Sequence, residues 1–254
     1  MEDLIFNYQS KLPINYRFRA PKGDCRHLLI IMSGFNIPDP TIYDFTVAIQ
    51  HCHSAILWIK DDFNTLPAYY LCNDMNFEIE QGVSALIDGV INFVKPKMTS
   101  IVGGSKGGSM ALYYGVKHNL PNIISAVPQF YIGRYVAEGY WKEVGQQMMG
   151  NVTPVNIHML DNYLPSMIKK DNNISRHIYL FTSPKDPQFE TEIKPNLPLF
   201  SKYSHFSFIQ SHSALIEKHN QVTSYNLNLI LSIIYQLENG IQPMLGNVKN
   251  GESW

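Results

Sequence analysis

The run TSIVGGSKGGSMALYYG, residues 99–115, places an apolar segment, a glycine-rich turn and a helical pattern in direct succession. Two phosphate-holding loops share this richness in glycine, and both are excluded. G-x-x-x-x-G-K-[ST] needs its lysine directly after a glycine to reach the phosphates, whereas Lys106 follows Ser105. G-x-G-x-x-G fails because a serine fills the slot where backbone must approach a pyrophosphate. Gly103-Gly104-Ser105-Lys106-Gly107 does match G-x-S-x-G, after an expected strand and before an expected helix, where the pattern has a mechanical meaning. Such a turn is sharp enough to strain the serine backbone, and its flanks must be small, a need met by Gly103, Gly107 and Gly108. Ser105 Oγ then stands exposed above a sheet, with the first helical amides aimed at any developing oxyanion. The plain alternative is a glycine-rich turn carrying an idle serine.

The rest of the chain supplies the sheet. RHLLIIMSG (26–34), SAILWIK (54–60), TSIVGG (99–104), NIISAVPQ (122–129), RHIYLFTS (176–183) and HFSFIQS (205–211) are short apolar, β-branched runs alternating with longer helical patterns. That alternation predicts an α/β fold with a mostly parallel sheet whose strands are covered on both faces. Ile79, Val83, Leu86, Ile87, Val90 and Ile91 recur at helical spacing within 76–95, and Pro96 ends that helix. Further helices are expected over 106–118 and 220–240. Two shorter ones, at 136–150 and 158–171, form an insertion late in the sheet order, of the kind that caps a site. A leading hairpin is expected with Pro13 at its turn, and the tail 246–254 is expected to fray. At 254 residues and 45% hydrophobic the chain can bury a sizeable core, and residues 1–254 are taken as one domain with a cap at about 131–171.

A serine hydroxyl needs a base to take its proton and a third group to orient that base. On a sheet of this kind the acid and then the base follow the serine in chain order, on loops after later strands. RHIYLFTS runs into PKDPQF, which places Asp186 just past a strand end, with Glu190 in reserve. Asp186 before Pro187 also reads as an ordinary turn aspartate. For the base, His212 and His219 both follow HFSFIQS. His219 is favoured because it comes after a loop that gives it room to lean back over the serine, whereas His212 lies at the strand end. The oxyanion hole is expected to pair the Lys106 amide with that of Phe35, freed by Gly34 at the end of an early strand.

Several classes are set aside. A net charge of −1 gives no field for non-specific nucleic-acid binding. No stretch approaches 18 uninterrupted apolar residues, so no membrane span is expected. The acidic start, with Glu2 and Asp3, does not read as a secretory leader, and a cytoplasmic protein is expected. Cys25, Cys52 and Cys72 lack a C-x-x-C pairing, and no histidine spacing suggests a metal site.

GGSKGGSMALYYG, then VPQFYIGRYV after a strand, SPKDPQ and the late HNQVTSYN together resemble the α/β-hydrolase-like O-acetyltransferases of bacterial surface-polysaccharide synthesis. The accessory Sec acetyltransferases, which modify glycans on serine-rich adhesins, are a related group. The similarity runs from about residue 26 to 237 and is most specific in S-K-G-G with A-L-Y-Y-G and in P-Q-x-x-x-G. It implies an α/β-hydrolase fold and a Ser-His-Asp triad of Ser105, His219 and Asp186. It also implies transfer of acetyl from acetyl-CoA, as co-substrate with no bound cofactor, to a sugar hydroxyl of a polysaccharide acceptor. Capsule-synthesis enzymes would be partners, and a peripheral place at the inner membrane face would fit. Tyr131, Tyr135, Tyr140 and Trp141 of the insertion are candidates to stack on sugars or, more plainly, to pack the core or lid, and Lys106 to attract phosphates of CoA or of a phosphodiester-linked polymer or simply to be solvated beside the turn. An esterase removing acetyl groups, and a catalytically silent glycan-binding or scaffolding subunit, remain the alternatives.

Overall fold

Each central strand feeds two cores at once. In β3 (His27–Met32), Leu28, Ile30 and Met32 join one cluster while Leu29 and Ile31 join another. Side chains alternate across a strand, so a strand covered on both faces must be apolar at every position. The computed structural model describes residues 2–35, 42–63 and 66–251. β4 (Ala55–Ile59), β5 (Met98–Gly104), β6 (Asn122–Ala126) and β7 (His177–Thr182) divide their residues between the two cores in the same way.

Among the described residues nine strands form one sheet in the order β1-β2-β4-β3-β5-β6-β7-β8-β9. β1 (Leu4–Tyr8) and β2 (Leu12–Arg19) pair antiparallel, as do β2 and β4, and the remaining pairings are parallel. α1 (Glu78–Val94) and α2 (Lys106–Lys117) pack their apolar stripes into one core, and α8 (Leu227–Glu238) packs into the other. The α/β expectation, with helices on both faces, holds.

The differences are local. The hairpin turns at Gln9 and Ser10, both with positive φ, and Pro13 lies inside β2. The expected frayed tail contains β9 (Asn247–Asn250), paired parallel with β8 (His205–Ser211). The helix expected over 220–240 is broken into α7 (His219–Tyr225) and α8. At the break, Asn226 turns its side chain to other work: Nδ2 donates to the Val222 carbonyl, and Oδ1 accepts from Ser211 Oγ and Asn250 Nδ2. The insertion between β6 and β7 holds four helices rather than two: α3 (Ile132–Ala137), α4 (Lys142–Met149), α5 (Pro154–Asp161) and α6 (Tyr163–Lys170). A 3-10 turn at Gly139–Trp141 joins the first two.

Candidate active site

The carboxyl ends of the parallel strands are where ligands sit on open α/β sheets, and here they carry all the groups singled out by the sequence. Ser33-Gly34-Phe35 follows β3, Ser105 follows β5, Asp186 follows β7 and His219 opens α7 after β8. Ser105 has φ 54° and ψ −124°, a strained conformation for a residue with a side chain. Two glycines allow it. A Cβ on Gly103 would stand 2.2 Å from the Gly107 carbonyl oxygen, and one on Gly107 would stand 2.1 Å from that of Met32. Only bare backbone lets the turn seat against β3.

Ser105 Oγ is 2.9 Å from His219 Nε2, and His219 Nδ1 is 2.9 Å and 3.1 Å from the two carboxylate oxygens of Asp186. The Asp186 side chain is wholly buried, and the imidazole is partly open to solvent, at 19% exposure. Asp186 Oδ1 also accepts the Gln188 amide at 3.0 Å, which fixes the carboxylate within its turn. A neutral imidazole donating through Nδ1 to Asp186 presents its Nε2 lone pair to the serine hydroxyl, the arrangement that removes a proton as Oγ attacks a carbonyl. At the start of α7 the side-chain oxygen of Gln221 accepts the Glu217 and Lys218 amides, anchoring the turn that delivers His219.

The structure therefore joins Ser105, His219 and Asp186. His212 stays at the end of β8, its amide bonded to the Asn250 carbonyl. Glu190 is exposed and paired with Lys194 one helical turn on. Lys106, as the first residue of α2, has an amide with no intrahelical acceptor. The Gly34 amide is taken by Asp44 Oδ2 at 2.7 Å, so Phe35 carries the next amide of that loop, and both residues border the same cleft as Ser105. Among the described residues, no cluster of side chains could hold a metal ion.

One expectation is corrected. The Lys106 side chain is not free to meet a phosphate: it is 1% exposed, and its Nζ lies 2.6 Å from Asp61 Oδ2. Burial pushes the lysine below its ordinary range, and Asp61 opposes that shift. Asp61 Oδ1 accepts the amides of Ala68 and Tyr70 at 2.9 Å and 3.1 Å, so one carboxylate ties residues 68–70 to the serine turn.

The sequence reading assigned no role to Gln129, although it quoted the P-Q segment that contains it. Its side chain is buried, with Nε2 2.9 Å from Ser105 Oγ and 3.2 Å from His219 Nε2. Glu192 was also missed. Its carboxylate accepts the Phe130 and Tyr131 amides at 2.7 Å and 3.0 Å, and burial raises its pKa.

A cleft of about 610 Å³ opens beside Ser105, lined by Phe35, Tyr43–Ala48, Tyr135, Trp141, His219, Thr223 and Leu227 among others. No lysine or arginine lines it among the described residues. Of the candidate sugar-stacking aromatics, Trp141 lies against Phe35 with ring centroids 3.9 Å apart and planes 16° apart. Tyr140 is exposed and meets Trp141 edge-on, and Tyr131 lies under the Arg134 guanidinium.

No protein-family model matches the chain, and no curated protein matches it by sequence. Solved structures do. A capsule O-acetyltransferase of Neisseria meningitidis serogroup A superposes with a TM-score of 0.68 at 19% identity, over 89% of this chain and 94% of that one. A variant of that enzyme has been solved in complex with CoA. A chain of the Glycosylation Associate Protein (Gap123) complex from Streptococcus agalactiae gives 0.71 at 18% identity, over 93% of this chain and 46% of that one. Est1E from Butyrivibrio proteoclasticus gives 0.62 at 12% identity, over 94% and 98%. What these proteins share with the chain is the α/β-hydrolase fold.

Proposed function

We propose that the protein is a serine O-acetyltransferase that moves acetyl from acetyl-CoA to a hydroxyl of a capsular or related surface polysaccharide. The observation carrying this reading is the hydrogen-bonded series Ser105–His219–Asp186 at a strained strand-to-helix turn. Likeness to a capsule O-acetyltransferase, solved in one form with CoA, supports the choice of donor and acceptor.

In the first half-reaction His219 Nε2 takes the Ser105 proton while Oγ bonds to the thioester carbonyl carbon. The amides of Lys106 and Phe35 hold the oxyanion, a contribution of about 2.7–4 kcal/mol per donor in comparable sites. Collapse breaks the C–S bond, and the thiolate takes the proton from His219 to leave as CoA thiol. In the second half-reaction a sugar hydroxyl gives its proton to His219 and bonds to the acetyl carbon. Collapse then returns the proton to Ser105 Oγ. With no cation along the cleft among the described residues, the pantetheine arm would supply the contacts there and the CoA phosphates would lie outside it.

Residues 1–254 act as one domain in this reading, with 131–171 as a cap whose Tyr135, Tyr140 and Trp141 form the acceptor wall. No helix among the described residues is long and apolar enough to cross a membrane, and the proposed place is the cytoplasmic face beside other capsule-synthesis enzymes. Likeness to a chain of a glycosylation complex supports such partners.

The esterase reading is the alternative, favoured by the likeness to Est1E and by a cleft that no lysine or arginine lines among the described residues. The two are separated by intact mass and thiol release after wild type and Ser105→Ala are incubated with acetyl-CoA. Acetylation or thiol release by wild type alone supports the transferase. No reaction with acetyl-CoA, together with Ser105-dependent cleavage of a simple acetyl ester, overturns it in favour of the esterase.

A further inference from the structure

Gln129 is aimed at the two atoms between which a proton would move, and the chain is distorted to aim it. Directly after β6, Val127 has φ 42°, a genuine outlier for a β-branched residue, and its amide is held by the Phe181 carbonyl at 2.9 Å. Pro128 follows, and the Gln129 backbone is then gripped at both ends: Ser109 Oγ accepts its amide at 2.8 Å and lies 2.7 Å from its carbonyl oxygen. Glu192 clamps the next two amides. A strained and over-determined backbone at the end of a central strand is a common sign of a group held for function.

The partners also fix which way the carboxamide points. Nε2 lies 2.9 Å from Gln188 Oε1, and Oε1 lies 3.4 Å from the buried Tyr69 hydroxyl. With His219 Nδ1 donating to Asp186, its Nε2 offers a lone pair, which suits an N–H and repels a carbonyl oxygen. One N–H of Gln129 thus goes to Gln188, and the other reaches Ser105 Oγ and His219 Nε2.

We infer that Gln129 is a catalytic residue: its N–H donates to Ser105 Oγ and stabilises the negative charge that oxygen bears as nucleophile and, later, as leaving group. The inference rests on the serine-nucleophile reading above. In attack the Oγ proton passes to His219 and in expulsion it returns, while Gln129 keeps both of its own. An ester oxygen is a poor acceptor, so the donor interacts more strongly with the transition states of both half-reactions than with the acyl-enzyme between them, and only such differential binding accelerates the chemistry.

The test is the rate at which a fluorophosphonate labels Ser105, which requires neither acyl donor nor acceptor, beside the burst and steady-state rates with p-nitrophenyl acetate. Gln129→Ala and the neutral, unbranched Gln129→Met, which fills a similar volume without a donor, should label about a hundredfold more slowly than wild type, the loss typical of one missing donor to a reacting oxygen. Burst and steady-state rates should fall together, because Oγ carries charge in both steps, with the unfolding midpoint of Gln129→Met close to that of wild type. Labelling of folded Gln129→Met within about threefold of wild type overturns the inference, as does a fall in the steady-state rate alone. If Gln129→Ala does not fold, Gln129→Met decides. Wild type that is labelled but transfers no acetyl sinks the transferase proposal and leaves this inference standing. Wild type that is never labelled sinks both.

Discussion

Replacing Asp61 by asparagine removes the charge opposite Lys106 and little else. At 2.6 Å and an effective dielectric of about 20 the pair's attraction is about 6 kcal/mol. Desolvating two side chains that are each 1% exposed costs about several kcal/mol per ion, so the intact pair is close to break-even. Removing one partner is different, because the ammonium is then buried alone. Asp61→Asn should therefore destabilise the protein by about 3–5 kcal/mol at neutral pH. The asparagine oxygen still accepts the Ala68 and Tyr70 amides, so the loss is assigned to charge rather than to those bonds. In the variant the folded state favours a neutral lysine while the unfolded chain stays protonated up to about pH 10.4. The unfolded state then binds more protons, so stability rises with pH up to that value, more steeply than in wild type. Adding Lys106→Met removes the stranded charge at similar volume, and the double variant should recover all but about 1–2 kcal/mol. Because Nζ also sits 5.5 Å from the Phe35 ring centroid and 4.4 Å from that of Tyr70, the double variant should keep its fold yet label Ser105 about tenfold more slowly. Urea unfolding at several pH values, with fluorophosphonate labelling, reads all of this. A cost below about 1 kcal/mol for Asp61→Asn, or a double variant as unstable as the sum of its singles, would refute the ion-pair reasoning.

Ser105→Gly should abolish labelling and raise stability by about 1 kcal/mol, since glycine tolerates φ 54° without strain but loses more entropy on folding; unfolding midpoints check it. Gly107→Ala, whose Cβ would meet the Met32 carbonyl, should cost about 3 kcal/mol or leave the protein insoluble, and an alanine variant of wild-type stability would contradict the close packing. Burial holds His27 down to about 4, so the unfolded state binds the extra proton and stability falls by about 3 kcal/mol as pH drops from about 6.5 to about 4. Comparing wild type with His27→Gln across that window isolates the contribution, and identical pH slopes would rule it out.

The strands were legible because their signal is redundant: a run such as LLIIM (28–32), feeding two cores, is apolar at every position. Ser105, Asp186 and His219 were reachable because a strained turn needs glycines and each partner follows a readable strand. Whether His212 or His219 met the serine depended on the path of an irregular loop, which no periodicity encodes. The fate of the Lys106 side chain was hidden for another reason. Its partner Asp61 lies 45 positions away after a different strand, and contacts between strand ends follow from sheet order rather than from local pattern. Gln129 gave no signal of its own, being one amide in a short connection. Asn226 interrupted an apolar helical pattern because its side chain bridges Ser211 and Asn250, and β9 was unreadable because edge pairing with β8 can be made by polar residues.

Strain and site coincide in a way that fits this division. Ser105, Val127, Tyr69 and Tyr70 all have positive φ, and all lie in segments that follow the central strands β4, β5 and β6. Each such residue costs about 1–3 kcal/mol unless its surroundings over-determine it. Here they do: the Ser105 amide bonds to the Ala126 carbonyl, the Val127 amide to that of Phe181, and the Tyr70 hydroxyl bridges the Ser33 amide and the Ile59 carbonyl. The bonds to Ala126, Phe181 and Ser33 cross between neighbouring strand ends, while the Ile59 bond ties the segment after β4 back to its own strand. The wholly buried strands beneath leave the ends no freedom to drift apart. A site assembled this way is set by strand register, and loosening any one connection should disturb its neighbours before it unfolds the sheet.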